Sequence, residues 1–313
     1  MIYTVTLNPA VDKTVQIPGF AAGKVNRVVS VREDAGGKGI NVSKCLRALG
    51  VESVAAVVLG GDGGDRLEVL LQQENMNILR AEISQGETRT NLKIVDPESG
   101  ENTDVNEPGP EVKAGELRQF LIRLCQRIRP GDIVVLSGSL PMGAPVDTYK
   151  VWTQRLRESG AKVFLDADDK CLAEGIQGKP DFIKPNETEL ARLMGRRFET
   201  EGQIIAAGRE LLASGIENVV ISMGGDGALF LWKEGFYRAK SLPVSVLSTV
   251  GAGDSVVAAM VYGAEKGLSM EEKIALAMAM GAASVMQTGT QAPDAKTVWE
   301  LAKKVEFEKI KKA

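Results

Sequence analysis

Between about residues 112 and 232, the sequence alternates amphipathic helical patterns with short apolar runs. The runs at 133–136, 163–165 and 218–222 have the composition of buried strands. Parallel strands need a crossover connection, which is usually a helix, so the alternation predicts a mainly parallel sheet covered on both faces by helices. No internal repeat, linker or low-complexity segment interrupts the chain, and we predict one α/β domain over residues 1–313.

Polar or glycine-rich turns follow the carboxyl ends of these predicted strands. They begin at Ser137, Asp166, Asn186 and Ser222. An N-terminal strand at 2–7 is likewise followed by Asp12. Open α/β sheets bind ligands at the carboxyl edge of their strands, so we expect a binding site there.

Two further strands, at 88–95 and 101–105, flank a turn-forming Asp-Pro-Glu-Ser-Gly segment and predict a β-hairpin. A hairpin inside a strand–helix pattern indicates an excursion from the main sheet. Arg89, Asn91 and Lys93 alternate along it, so one face of the strand is polar. That face either meets solvent or forms the underside of a lid over a charged substrate.

The segment 248–259 places a Gly-Ala-Gly turn directly before an apolar helical pattern. The free amides and the dipole of a helix N-terminus attract anions, and Asp254 lies in the first turn. An anion site beside a proton acceptor suits phosphoryl transfer to a hydroxyl. The alternative is that the small residues only allow close helix packing.

A second glycine-rich turn, at 36–41, leads into a helix with apolar residues at i, i+3, i+4 and i+7 spacing. Its glycines allow the backbone to approach a ligand, and Asn41 offers hydrogen bonds to hydroxyls. An ordinary turn is the alternative. Just before it, segment 23–31 alternates valines with Lys24 and Arg27, which predicts a strand with basic side chains that are either solvated or phosphate-binding.

The composition excludes several classes of function. The chain contains no histidine, so a general base must be a carboxylate, Lys, Tyr or Cys. Three widely spaced cysteines predict neither disulfides nor a zinc site. A net charge of −3 gives no reason to expect nucleic acid or membrane partners.

No secretory leader or long apolar run is evident, so we expect a cytoplasmic protein. The charged C-terminal run at 303–312 predicts a solvated helix. The P-loop and Rossmann fingerprints are missing, and without histidine the protein-kinase catalytic loop is excluded.

Seven short motifs, in order, resemble the phosphofructokinase-B-type sugar kinases of the ribokinase-like superfamily over essentially the whole chain. They lie at 8–12, 36–41, 88–91, 137–141, 184–189, 222–227 and 249–255. The resemblance implies a ribokinase-like three-layer α/β/α fold with a small β-sheet lid, built from about residues 11–32 and 86–107. Lids of this family often form a dimer surface, so it also implies a homodimer.

The resemblance further implies ATP and Mg²⁺ as cofactors. It makes Asp254 the base and the amides of Gly251, Ala252 and Gly253 the anion hole. Asn186 and Glu189 would organise Mg²⁺, mostly through water, although helix surface charge is the alternative for Glu189. ATP-binding residues would be Lys184, Asn186, Ser222, Gly224, Gly227 and Gly253.

The expected substrate is a sugar that already carries a phosphate. The resemblance assigns its hydroxyls to Asp12, Gly37 and Asn41, and its phosphate to Lys24, Arg27, Lys38 and Arg89, with Asn91 and Ser137 as further contacts. Segments 88–94 and 103–110 resemble those of the family members that act on fructose 1-phosphate, which implies fructose 1-phosphate rather than tagatose 6-phosphate as the acceptor. A non-catalytic sensor of sugar phosphates or nucleotides is the alternative from another class.

Overall fold

The computed structural model describes residues 1–310, which contain fourteen strands and ten α-helices. The strands are β1 Ile2–Thr6, β2 Ala10–Gln16, β3 Ser30–Gly36, β4 Val54–Leu59, β5 Asn77–Glu82, β6 Arg89–Val95, β7 Asn102–Val105, β8 Ile133–Ser137, β9 Lys162–Asp166, β10 Phe182–Ile183, β11 Asn218–Ser222, β12 Ala228–Trp232, β13 Phe236–Ala239 and β14 Phe307–Ile310. The helices are α1 Lys38–Ala48, α2 Gly61–Gln73, α3 Ala114–Cys125, α4 Thr148–Glu158, α5 Asp169–Gly175, α6 Glu187–Met194, α7 Glu201–Ala213, α8 Ala252–Glu265, α9 Met270–Val285 and α10 Ala295–Ala302.

Ten of these strands form one sheet, in the order β14-β13-β12-β11-β10-β9-β8-β1-β4-β5. The seven strands from β11 to β5 run parallel, and β12, β13 and β14 add an antiparallel edge. The predicted mainly parallel sheet is confirmed. Its carboxyl edge carries the turns that the sequence marked as polar.

Side chains alternate between two apolar clusters, one on each face of this sheet. Along β8, Val134 and Leu136 join the cluster that includes α3 and α4, whereas Ile133 and Val135 join the cluster that includes α8 and α9. Because successive strand residues point to opposite faces, both faces are covered by helices and the three-layer prediction is confirmed. No helix within residues 1–310 is long and apolar enough to cross a membrane.

The other four strands form a separate sheet in the order β3-β2-β6-β7. The predicted hairpin is present, with β6 and β7 antiparallel and Lys93 opposite Asp104. Strand β2 pairs in parallel with β6, which places Asp12 opposite Asn91. This second sheet extends to Gly36, four residues beyond the first predicted lid segment.

Two sequence predictions are wrong. No strand covers residues 23–29; β3 begins only at Ser30, because the side chain of Asn26 accepts from the amide of Ala21 and donates to its carbonyl, which holds a turn. The C-terminal run is not a helix either, since α10 ends at Ala302 and residues 307–310 pair with β13. The last residues of that run, 311–312, lie outside the described residues.

Candidate active site

A cleft of about 490 Å³ separates the carboxyl edge of the main sheet from the polar face of the second sheet. The residues Asp12, Asn41, Arg89 and Asp254 all line it. Asp12 and Arg89 come from the second sheet, and Asn41 and Asp254 come from the N-terminal ends of two helices. The remaining predicted site residues that line it are Gly37, Lys38, Asn91, Lys184, Asn186, Glu189, Ser222, Gly251 and Gly253.

Six predicted site residues do not line the cleft. Lys24 and Arg27 are exposed on the turn between β2 and β3, since the expected strand does not form there. Neither residue therefore belongs to the cleft of its own chain.

The other four lie in or behind its wall. The side chain of Ser137 is fully buried, and it is Gly138 and Ser139 that face the space. Ala252 begins α8 behind the lining, and Gly224 and Gly227 lie in the turn that follows Ser222. Gly227 has φ +97° and no room for a side chain, because a Cβ there would lie 2.1 Å from the carbonyl oxygen of Ala239. Its role is to shape the turn.

Asp254 is buried in the first turn of α8 and is held in place by Asn41. The Asn41 side-chain amide donates to Asp254 Oδ2 at 2.7 Å. Burial, followed by the negative charge of Asp166, raises the pKa of Asp254 to about 7, although Asn41, Lys38 and Lys184 oppose the shift. A carboxyl group with this pKa can accept a proton near neutral pH, as a general base does.

The turn before Asp254 presents backbone to the cleft. Gly251 has φ +82°, a left-handed conformation that favours glycine, and it caps α8 without a side-chain acceptor. A Cβ on Gly253 would lie 3.0 Å from Nζ of Lys184, so an ammonium group stands beside the amides. Free amides, helix dipole and a lysine together make an anion site.

A network of acids and lysines lies next to this site, and its centre, Asp166, was not among the predicted site residues. Asp166 is buried, 3.8 Å from Nζ of Lys38 and 3.6 Å from Nζ of Lys184. Lys38 also donates to Asp168 at 2.8 Å. Burial lowers the pKa of Lys38, but these carboxylates outweigh it and raise that pKa above its ordinary value. The position of Asp166 at a strand end was the only sequence signal for it.

The second sheet supplies a matching polar wall. Asp12 accepts from the Asn91 side chain at 3.0 Å and pairs with Lys93 at 3.3 Å. The guanidinium of Arg89 donates to the carbonyl oxygens of Asn8 and Glu107, so it joins the main domain to the second sheet. Partial burial lowers the pKa of Arg89, and this half-buried cation faces the cleft.

Asn186 and Glu189 form a capping box at the start of α6. Each side chain accepts the backbone amide of the other at 2.8 Å. Both also line the cleft, and burial raises the pKa of Glu189. The carboxamide of Asn186 and the carboxylate of Glu189 can still present oxygen atoms to the cleft. Oxygen ligands of this kind suit a hard divalent cation that is held through water. Within residues 1–310, no cluster of three acidic, cysteine or histidine residues forms a direct metal cage.

Several buried polar atoms around the cleft have no hydrogen-bond partner among residues 1–310. They include Oδ1 of Asn8, Asn41 and Asn91 and Oγ1 of Thr6. An unsatisfied buried polar atom costs about 1–3 kcal/mol, so such atoms need water or a ligand. Their concentration at one cleft indicates a ligand rich in hydroxyl groups.

The tight approach of α1 to β1 gives a testable requirement at Gly39. A Cβ there would lie 2.5 Å from Oγ1 of Thr6 and 2.8 Å from the carbonyl oxygen of Val5. We expect Gly39→Ala to destabilise the fold by about 1–3 kcal/mol through overpacking, measured by urea unfolding. Gly115→Ala is the matched control, because it is also helical with no atom within 4 Å, and it should be neutral or stabilising. Equal effects of both substitutions would contradict the packing argument.

Comparison with known proteins places the whole chain in one family. The model of the pfkB family carbohydrate kinases matches residues 4–297. A 1-phosphofructokinase of Bacillus subtilis is 37% identical over 293 residues, covering 93% of this chain and 95% of the relative.

Solved structures agree with this match. Phosphofructokinase-2 from Escherichia coli in complex with fructose-6-phosphate superposes with a TM-score of 0.91 at 29% identity, over 97% of this chain and 98% of that one. Ribokinase from Arabidopsis thaliana shares the fold, with a TM-score of 0.75 at 24% identity, over 96% and 98% of the two chains. Family model, relatives and fold thus coincide over nearly the whole length, and the chain belongs to the pfkB family of carbohydrate kinases.

Proposed function

We propose that this carbohydrate kinase transfers the γ-phosphoryl group of ATP to fructose 1-phosphate and forms fructose 1,6-bisphosphate. The observation that carries the proposal is Asp254, which lies at the α8 amides and shares one cleft with Arg89 and Lys38. The 6-hydroxyl oxygen of the sugar attacks the γ-phosphorus and gives its proton to Asp254. The bond from that phosphorus to the bridging oxygen breaks, and ADP leaves with the electron pair.

Charge stabilisation comes from the backbone and from Lys184. The amides of Gly251 and Gly253, which line the cleft at the N-terminus of α8, would face the transferring phosphoryl group. The third predicted amide, that of Ala252, donates to the carbonyl oxygen of Thr249 at 3.4 Å. Because phosphoryl transfer depends on positioning and charge neutralisation more than on a strong base, a carboxylate with a pKa of about 7 is sufficient. Lys184 adds positive charge beside the same amides.

Mg²⁺ would be held mostly through water by Asn186 and Glu189, and it would neutralise charge on the ATP phosphates. The fit rests on oxygen donors that line the cleft, with the carboxylate of Asp166 beside them. Ser222 and the turn shaped by Gly224 and Gly227 would contact the nucleotide.

The acceptor is assigned from the curated relatives named 1-phosphofructokinase, which are 36–39% identical to this chain. Tagatose 6-phosphate is the second candidate. Steady-state kinetics with MgATP and each of fructose 1-phosphate, tagatose 6-phosphate and fructose 6-phosphate test the assignment. A higher kcat/KM on either of the other sugars would overturn it.

Arg89 gives a test of phosphate recognition. We expect Arg89→Met to raise the KM for fructose 1-phosphate by about tenfold to hundredfold, because a charge-assisted hydrogen bond contributes about 1.5–3 kcal/mol. Turnover of unphosphorylated fructose should change little. Arg118→Met removes an exposed arginine of α3 and is the control. An equal loss on both sugars would mean that Arg89 acts only by holding Asn8 and Glu107.

A homodimer through the second sheet completes the proposal. Several of its apolar side chains, with those of the adjoining turn, are exposed: Val25 at 88%, Val29 at 65%, Val31 at 55% and Val105 at 52%. Such a patch favours a protein partner. Light scattering should give twice the 33.5 kDa chain mass, and Val29→Lys should shift the protein to monomer.

A further inference from the structure

Arg32 lies on β3 of the second sheet, and the mechanism above does not use it. Its Nε donates to Oδ2 of Asp34 at 2.8 Å. Within residues 1–310, that is the only hydrogen bond its guanidinium makes, so the two terminal nitrogens have no acceptor. The side chain of Arg32 is 38% exposed. Asp34 orients the guanidinium through Nε and leaves the N–H groups of the two terminal nitrogens available to another acceptor.

This guanidinium lies close to a turn of the main domain. A Cβ placed on Gly289 would lie 3.2 Å from Nη2 of Arg32. Gly289 belongs to the turn after α9 and has φ +67°. Arg32 of the second sheet therefore lies beside this turn, and a side chain at position 289 would press against it.

The same turn borders the anion site at the start of α8. Thr290 lines the cleft, and a Cβ on Gly251 would lie 3.8 Å from the Cα of Thr290. The 289–290 turn thus lies next to both Arg32 and the start of α8. Arg89, by contrast, is bound to Asn8 and Glu107.

We propose that Arg32 is a positioning residue that closes the second sheet over the polyphosphate of the nucleotide. This inference rests on the proposed kinase function. The free Nη groups donate to phosphate oxygens of ATP held at α8, since a guanidinium offers the paired donors that phosphate accepts. Closure then depends on bound nucleotide, and it excludes water that would otherwise compete with the sugar for the γ-phosphoryl group.

The test compares three variants with wild type. Arg32→Met removes the positive charge, and Arg32→Lys keeps the charge but lacks the paired N–H donors of a guanidinium. Lys13→Met is the control, because it removes a charge that pairs with Glu33 on the opposite face of the sheet. Each is assayed for KM of ATP, kcat and the ratio of ADP released to fructose 1,6-bisphosphate formed at saturating ATP. The sugar-phosphate dissociation constant is measured without nucleotide.

We expect Arg32→Met to raise the KM of ATP about tenfold and the ADP-to-product ratio severalfold, with the sugar-phosphate dissociation constant unchanged. Arg32→Lys should fall between Arg32→Met and wild type, and Lys13→Met should match wild type. An unchanged ADP-to-product ratio in both Arg32 variants, or an equal change in Lys13→Met, overturns the inference and leaves the kinase proposal intact. A wild type that phosphorylates none of the sugar phosphates overturns the kinase proposal itself.

Discussion

Asp254→Asn is expected to lower kcat for fructose 1-phosphate by about 10³-fold or more, with little change in the binding of either substrate. The substituted amide has nearly the same shape and still offers Asn41 an oxygen acceptor, but it takes no proton from the attacking hydroxyl. General-base catalysis contributes about 10²–10⁴-fold, and Asp254 is the carboxylate at the anion-binding helix terminus. Steady-state kinetics together with calorimetric titration of each substrate separate chemistry from binding.

The matched control is Asp181→Asn, which removes another largely buried carboxylate outside the cleft. Burial raises the pKa of Asp181 as it does that of Asp254. Turnover of the Asp181 variant should stay within about twofold of wild type. If Asp254→Asn retained full turnover, another group would have to be the base. A wild type that binds both substrates without turnover would instead favour the sensor alternative.

Residues at the ends of regular elements were predictable from the sequence. Three predicted residues lie at the start of a helix whose apolar spacing is visible in the sequence: Asp254, Asn41 and Asn186. Parallel strands bring such helix starts to the same edge of the sheet. Their side chains line a common cleft in the structure. A local sequence pattern was sufficient for this prediction, because the direction of the strands alone determines which turns lie at the same edge of the sheet.

Contacts between distant side chains were not predictable in this way. Lys38 meets Asp166 and Asp168, about 130 positions further along the chain, and no local period encodes that pairing. Arg32 and Gly289 are even further apart in sequence. The strand prediction for residues 23–29 is wrong for a different reason. Hydrogen bonds between the Asn26 side chain and the backbone outweigh the β propensity of the valines in this segment.

The stability of the fold should reveal the cost of keeping Asp254 ionised. Its pKa is 3.8 in an unfolded chain and about 7 in the folded protein. Between these values the unfolded chain has lost the proton while the folded protein keeps it, so the wild type loses stability as the pH rises, and the loss is complete above about pH 7. Asp254→Asn does not titrate and escapes this loss.

We therefore expect Asp254→Asn to be more stable than wild type by a margin that grows by about 1–3 kcal/mol from pH 5 to pH 8, at about 1.36 kcal/mol per pKa unit. Urea unfolding in EDTA at the two pH values measures this margin. The control is Asp132→Asn, which removes a buried carboxylate that pairs with the N-terminal ammonium and should therefore destabilise the fold. A margin that shrinks with rising pH would mean that Lys38 and Lys184 outweigh burial and the charge of Asp166. The carboxylate of Asp254 would then stabilise the fold. With the pKa raised as it is here, the carboxylate that we propose as the base weakens the fold at neutral pH, as expected of a buried titratable group at a functional site.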